Sequence, residues 1–434
     1  MRPISSRGNQ SASMSVATCP STGAVTGLRE TLDFFSDPGF ASKRFAAHGD
    51  VFETRLLAQR IVFIQGERAI SDLLKQGAAL EGWWPDSVRQ LLGSRSLANR
   101  SGPAHKARRR VVGQLFSSGA LCRYTPSIQG LIEELIHELQ ESETPQPLAA
   151  RMRRFAFAVI ATTVLGLDAS DRDALFADFE IWTQALFSIP LAIPGTPFAR
   201  ALAARGRLLT RLKTVLQHSD SSQGGLDLLS GGLDEVDMPL DDDDLVEQLL
   251  LLLFAGYETT ASSLSCLFRA LLLNPDVEQW LLPELLSSPW PFEASHRSPR
   301  LNAMVLEVMR LTPPVGGFFR RNLQPIRLAD VEIPQDRVIQ VVLGSRTAED
   351  SSDIAAFRPQ RHLDGSFTQT LLPFGGGERV CLGKALAELE IRLMTVGLIQ
   401  KLQLRLVPDQ DLSLKQIPSP TPRDGLVVSV TPRQ

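Results

Sequence analysis

The chain has 434 residues, 43% of them hydrophobic, enough for a folded form to bury roughly three quarters of its unfolded surface without disulfide staples. A formal net charge of -3 excludes a general attraction to nucleic acid. Cys19, Cys122, Cys266 and Cys381 lie far apart with no CxxC pair, which argues against a zinc ribbon, a thioredoxin motif or a secreted disulfide framework and for a reducing cytoplasm.

Residues 1–25, rich in Ser, Gly and Thr, read as a disordered lead-in with no apolar run long enough for a signal peptide or membrane anchor. With no internal repeat and no clear central linker, residues 26–434 read as one large domain. After an amphipathic segment from Leu28 to Phe45, the runs Val51 to Leu57 and Arg60 to Ile64 alternate as a hairpin would, and a helix is expected over Glu67 to Lys75. Trp83 and Trp84 beside Pro85 form either a packed corner or one wall of an apolar pocket. On a helix, His105 and Arg109 share a face and together can hold an anionic group, although a solvated basic face explains such a run equally.

Helical spacing continues over Leu131 to Leu139, Met152 to Leu165 and Ala174 to Phe187, where Trp182 and Phe187 are either core or the roof of a pocket. The polar stretch Ser219 to Asp244 reads as a loop whose last acids complement the N-terminus of the longest apolar helix, about Leu245 to Leu273. Inside that helix Gly256 costs about 1 kcal/mol relative to Ala, and Glu258 beside Thr259 and Thr260 suits a dry core poorly. Such a local conflict marks function or a kink. Pro275 is expected to close the region. Glu307 and Arg310 pair across one helical turn, residues 313–320 are extended, and short strands follow over Ile326 to Leu328, Val331 to Ile333 and Val338 to Leu343. Turn residues before Val427, Val428 and Val430 suggest a final hairpin.

The stretch Phe374-Gly375-Gly376-Gly377-Glu378-Arg379-Val380-Cys381-Leu382-Gly383 combines a flexible glycine loop with a cysteine just before a helix. The helix dipole and free N–H groups there favour a thiolate, suited to a nucleophile or a metal ligand. A buried structural cysteine remains open from this stretch alone.

Together these pieces resemble the cytochrome P450 family of haem-thiolate monooxygenases. The pattern FxxGxRxCxG is met by Phe374, Gly377, Arg379, Cys381 and Gly383, ExxR by Glu307 and Arg310, and FxPxR by Phe357, Pro359 and Arg361. The helix-centre motif is met by Ala255, Gly256, Glu258, Thr259 and Thr260, and HxxxR by His105 and Arg109. The resemblance implies a single-domain P450 fold, mainly α with small β-sheets, carrying haem b between the long central helix and the cysteine loop. Cys381 is then the axial thiolate ligand of the iron, with Phe374, Gly375, Gly383, Ala255 and Gly256 around the cofactor and Arg379, His105, Arg109 and Arg320 towards its propionates. Glu307, Arg310 and Arg361 form a structural network, and Glu258 and Thr259 deliver protons to the oxygen chemistry.

Within the family, residues 84–93, 104–110 and 313–320 are most similar to the retinoic-acid hydroxylases and their soluble bacterial relatives. That likeness implies hydroxylation of an elongated apolar substrate, a retinoid or other isoprenoid, with Trp84, Val88, Trp182, Phe187, Val315, Gly317 and Phe318 as walls. It also implies O2 and a ferredoxin with its reductase as partners, meeting a basic face of Lys106, Arg108, Arg110 and Lys384. Peroxide-using or hydroperoxide-rearranging haem-thiolate enzymes, and a non-catalytic haem-binding sensor, are the alternatives. One departure stands out: His362 follows the FxPxR arginine where the family usually has an aromatic.

Overall fold

The computed structural model describes residues 17–23, 27–37, 39–56, 59–186, 188–218, 224–290, 297–343 and 355–433. The chain falls into two compact units, one comprising residues 1–80 with 321–341 and the other residues 81–320 with 342–434.

In the first unit, helices α1 (Leu28–Ser36), α2 (Phe40–His48) and α3 (Glu67–Lys75) accompany strands β1 (Ala17–Thr18), β2 (Val51–Leu56), β3 (Gln59–Ile64), β4 (Ile326–Leu328), β5 (Val331–Ile333) and β6 (Val338–Val342). The expected hairpin is present, with Arg55 opposite Arg60, and β3 pairs in parallel with β6 from Ile61 opposite Val338 to Ile64 opposite Val341. Alternation places Phe52 and Phe63 in the interior, where their rings stack at 5.2 Å. The lead-in is ordered in part: Ala17 and Thr18 pair in parallel with Val331 and Glu332 because β5 offers them a free backbone edge.

The second unit holds helices α4 (Asp86–Leu92), α5 (Gly102–Gly113), α6 (Ser118–Glu141), α7 (Leu148–Thr163), α8 (Ala169–Thr183), α9 (Pro197–His218), α10 (Asp242–Leu273), α11 (Pro275–Ser287), α12 (Pro299–Leu311) and α13 (Lys384–Lys401). Pro275 opens α11 instead of closing the region, since the first helical turn needs no donor from it. The C-terminal strand Val427–Pro432 pairs with Leu402–Leu406 and not with the turn preceding it.

Helix α10 is the axis of this unit. Asp241 caps it by accepting from the Asp244 amide at 2.8 Å, and acids fill its first turn, where the helix dipole favours them. By length and composition it is the one helix among the described residues able to cross a bilayer, yet 67% of its most apolar window is buried inside the protein. It runs without a break through Gly256, so the expected kink is absent. The glycine has a packing reason: a Cβ there would stand 2.8 Å from Ile160 Cγ1 on α7. Gly256→Ala is therefore expected to lose about 1–3 kcal/mol to overpacking despite the better helix propensity of Ala. Denaturant unfolding measures this, and a gain in stability would exclude the close-packing explanation.

Candidate functional site

The loop before α13 turns through left-handed backbone at Gly375 (φ 70°) and Gly377 (φ 67°), a conformation other residues adopt only with strain. This brings the Cys381 amide back to the Phe374 carbonyl at 2.9 Å. Cys381 then sits at the start of α13 with its sulfur near the amides of Gly383 and Lys384. Burial pushes its thiol above the ordinary value of 9.0, while those amides and the Arg109 charge pull the other way. Burial prevails, so a stable thiolate here calls for a cation on the sulfur. Cys381 nevertheless has exposed surface. A residue both desolvated and accessible faces a hollow and not bulk water.

Four basic side chains gather beside the cysteine loop. Arg109 donates to the Val380 carbonyl at 2.5 Å, and Arg379 donates to the Arg100 carbonyl and to Ser101 Oγ. Gly82 makes room for Arg379, since a Cβ there would meet its guanidinium at 2.5 Å. Arg320 lies over the Phe318 ring at 4.6 Å, and burial, with the charge of Arg379, lowers it to about 10. His105 is brought down to about 4 by burial first and then by Arg379, Arg109 and Arg320, so it is neutral at pH 7 and retains one N–H to donate. Among the described residues no acid makes an ion pair with Arg109, Arg320 or Arg379. A nest of cations without anions fits a dianionic ligand, and the soft sulfur beside it fits a metal.

On α10, Ala255 is exposed in the middle of the most enclosed helix, and Thr259 is half-buried one turn further along the same face. Thr259 Oγ1 donates to the Ala255 carbonyl at 2.7 Å. Glu258 is buried and held by Arg153 of α7 at 3.0 Å, a partner no sequence signal announced.

Glu307 of α12 has no exposed surface and takes five donors. Arg310 supplies two at 2.8 Å, Arg361 Nε one at 3.0 Å, the Arg358 amide one at 2.9 Å and His362 Nε2 one at 2.8 Å. Burial alone would raise its carboxyl, but these donors outweigh it and hold it at about 2. The unusual His362 thus replaces an aromatic contact with a polar one, and because a carboxylate only accepts, Nε2 carries the proton. His362→Phe is expected to cost about 1–3 kcal/mol, with His362→Gln recovering most of it because an amide N–H can take the same place. Urea unfolding of the two variants against the parent decides the point; equal stability of all three would show the bond to be dispensable.

The wall candidates separate. Trp84, Gly317 and Phe318 are half-buried and Val315 is exposed. Val88 and Trp182 have no accessible surface, which corrects their assignment as walls. Trp182 is a core residue packed on Phe179 and Phe254, its Nε1 donating to the Leu91 carbonyl at 3.2 Å. Phe187 lies outside the described residues. The basic face also loses a member: Arg108 is buried against Asp244 and Glu235 at 2.6 Å each.

The family model of cytochrome P450 matches residues 38–430. This chain belongs to the cytochrome P450 family. It is 34% identical over 423 residues to cytochrome P450 120 of Synechocystis sp., spanning 93% of this chain and 94% of that one. It is 30% identical over 420 residues to cytochrome P450 26B1 of Homo sapiens, spanning 90% and 82%. Its fold matches the solved structure of retinoic acid bound cyanobacterial CYP120A1 with a TM-score of 0.88 at 32% identity, covering 96% of this chain and 100% of that one. The protein is accordingly a P450 monooxygenase. Its cofactor is haem b with the Cys381 thiolate as axial ligand, and it draws on O2 and an electron donor. The anion-deficient nest of Arg109, Arg320 and Arg379 suits the two haem carboxylates, and the desolvated sulfur suits the iron.

Proposed function

We propose that this P450 hydroxylates an unactivated C–H bond of an elongated apolar substrate of the retinoid or isoprenoid type. The observation carrying the proposal is the likeness, over nearly the whole chain, to a structure described as retinoic acid bound. The half-buried Trp84 and Phe318 and the exposed Val315, with Gly317 leaving space between them, suit an apolar, extended molecule.

The roles follow from local chemistry. When bound, the haem supplies activation of O2 and transfer of one oxygen atom to the substrate. Cys381 donates charge to the iron through sulfur, and Phe374 shields that sulfur from water. His105, Arg109, Arg320 and Arg379 hold the carboxylates, while Gly375, Gly383 and Ala255 leave room for the ring. Thr259 Oγ1, already donating to the Ala255 carbonyl, offers its lone pairs to a water, and Glu258, steadied by Arg153, replenishes the proton that water gives up. Glu307, Arg310 and Arg361 brace the segment that precedes the cysteine loop. Residues 26–434 make up the catalytic domain, and the enzyme works in the cytoplasm.

The electron donor is a small acidic ferredoxin with its reductase, received by Lys106, Arg110 and Lys384. Two of these are engaged at the surface, Lys106 with Glu378 at 3.0 Å and Lys384 near Glu388 at 3.9 Å. Exposed pairs of this kind exchange readily for a partner's acids. Mass spectrometry of turnover against a retinoid and isoprenoid panel, run with a ferredoxin system and separately with peroxide alone, tests the whole reading. Oxygenated product only with the ferredoxin system is expected. Product with peroxide alone at an equal rate would transfer the assignment to a peroxide-using enzyme.

A further inference from the structure

The connection between α4 and α5 is held by side chains from other helices and not by its own turns. The consecutive amides of Arg95 and Ser96 donate to Glu247 Oε2 at 2.7 and 3.2 Å, and the Leu97 amide donates to Gln248 Oε1 at 2.7 Å. Gln248 Nε2 returns a bond to the Arg95 carbonyl at 2.9 Å. Two neighbouring residues of α10 therefore grip three successive amides of one loop. From α9, Arg205 completes the arrangement, its Nη2 meeting Glu247 Oε1 at 2.5 Å and its Nε donating to the Leu91 carbonyl at 2.9 Å. That carbonyl, at the end of α4, also receives Trp182 Nε1 from α8. Gly93 stands at φ 95°, and a Cβ there would run into both Arg205 and Glu247, so the backbone is shaped to let this pair pass.

We infer that Arg205 and Glu247 are positioning residues that keep the α4–α5 connection closed over the substrate channel, an inference that rests on the proposed apolar substrate. Two features tie the strap to the reaction site. It lies on the helix that carries Ala255 and Thr259, about 12 Å along its axis from Ala255. Trp182, which shares the Leu91 carbonyl with Arg205, packs on Phe254 at 6.0 Å, one residue from Ala255. A third feature makes it able to open: Arg95 and Glu247 line a cleft of about 350 Å³ beside α9, so water reaches the strap from outside. A strap of side chains on one loop opens without disturbing the cysteine loop, because it shares no residue with it.

The test is hydrogen exchange on the haem-loaded, substrate-free enzyme, read at the Arg95, Ser96 and Leu97 amides, together with steady-state kinetics. Arg205→Leu is expected to speed exchange at these three amides by about tenfold and leave amides 381–390 unchanged. KM should rise severalfold with kcat within about twofold. Arg205→Lys, which restores a donor to Glu247, should return both towards the parent. If Glu247→Ala fails to fold, Arg205→Leu decides alone. Unchanged exchange at 95–97, exchange raised throughout the chain, or a fall in kcat at constant KM would each overturn the inference. Should the parent enzyme turn over none of the panel, the substrate class fails, and the exchange readout still decides the strap by itself.

Discussion

Glu307→Ala is expected to destabilise the protein by about 3–5 kcal/mol and to strip it of haem, since it leaves Arg310 and Arg361 buried with no carboxylate between them. Glu307 is fully enclosed, and the two guanidinium groups are only 6% and 3% exposed, so water cannot replace what the mutation removes. Both arginines also reach the Ala356 carbonyl, at 3.3 and 3.0 Å, so the loss spreads into the segment leading to the cysteine loop. The pH dependence follows from the carboxyl being held at about 2 when folded against an ordinary 4.5. A depressed folded value contributes stability that is fully present above 4.5 and is lost as pH falls through about 2, an amount on the order of 3 kcal/mol. Denaturant unfolding across that range, with haem content measured by absorbance, checks both statements. Glu307→Gln should lack this acid-side loss, and a cost for Glu307→Ala below about 1 kcal/mol would remove Glu307 from its bracing role.

Thr259→Ala should leave haem binding and the thiolate signature of the reduced, CO-bound spectrum intact while diverting electrons into hydrogen peroxide. Glu258→Gln should slow product formation by about a hundredfold, the low end of what a positioned proton donor contributes. The two act at different points: Thr259 holds a water through its hydroxyl, while Glu258 supplies the proton and is oriented by Arg153 at 3.0 Å. Thr259→Ser, which keeps the hydroxyl, is expected to recover coupling. The measurement is product formed per electron consumed, and an unchanged ratio in Thr259→Ala would exclude proton delivery by this residue.

The parts of this protein readable in its sequence are those where chemistry demands particular residues at fixed spacing. Cys381 needs glycines before it and a helix after it, and Glu307 needs Arg310 one turn away, so both could be found by inspection. The central helix declared itself by length. Its glycine also drew notice, but for a kink, whereas the structure gives the contact with Ile160, which depends on a distant segment. The pocket was least legible because Val88 and Trp182 have the same apolar character whether they line a cavity or fill a core. Only tertiary packing distinguishes these, and the same holds for Arg108, whose basic run predicted exposure while Asp244 and Glu235 enclose it. Arg153 and His362 were missed as partners because each meets its acid across a long sequence separation.

The parallel pairing of β3 with β6 bears on how the chain is made. Roughly 270 residues separate Ile64 from Val338, and ribosomes add about 5–20 residues per second. One edge of β3, with its Arg60-Ile61-Val62-Phe63-Ile64 sequence, therefore waits tens of seconds for its neighbour, during which an apolar strand edge is open to other chains. Cys381 emerges later still. Haem capture thus belongs to the last stage of synthesis or after release, and the yield of holoenzyme in a cell should depend on chaperone supply at least as much as on haem supply.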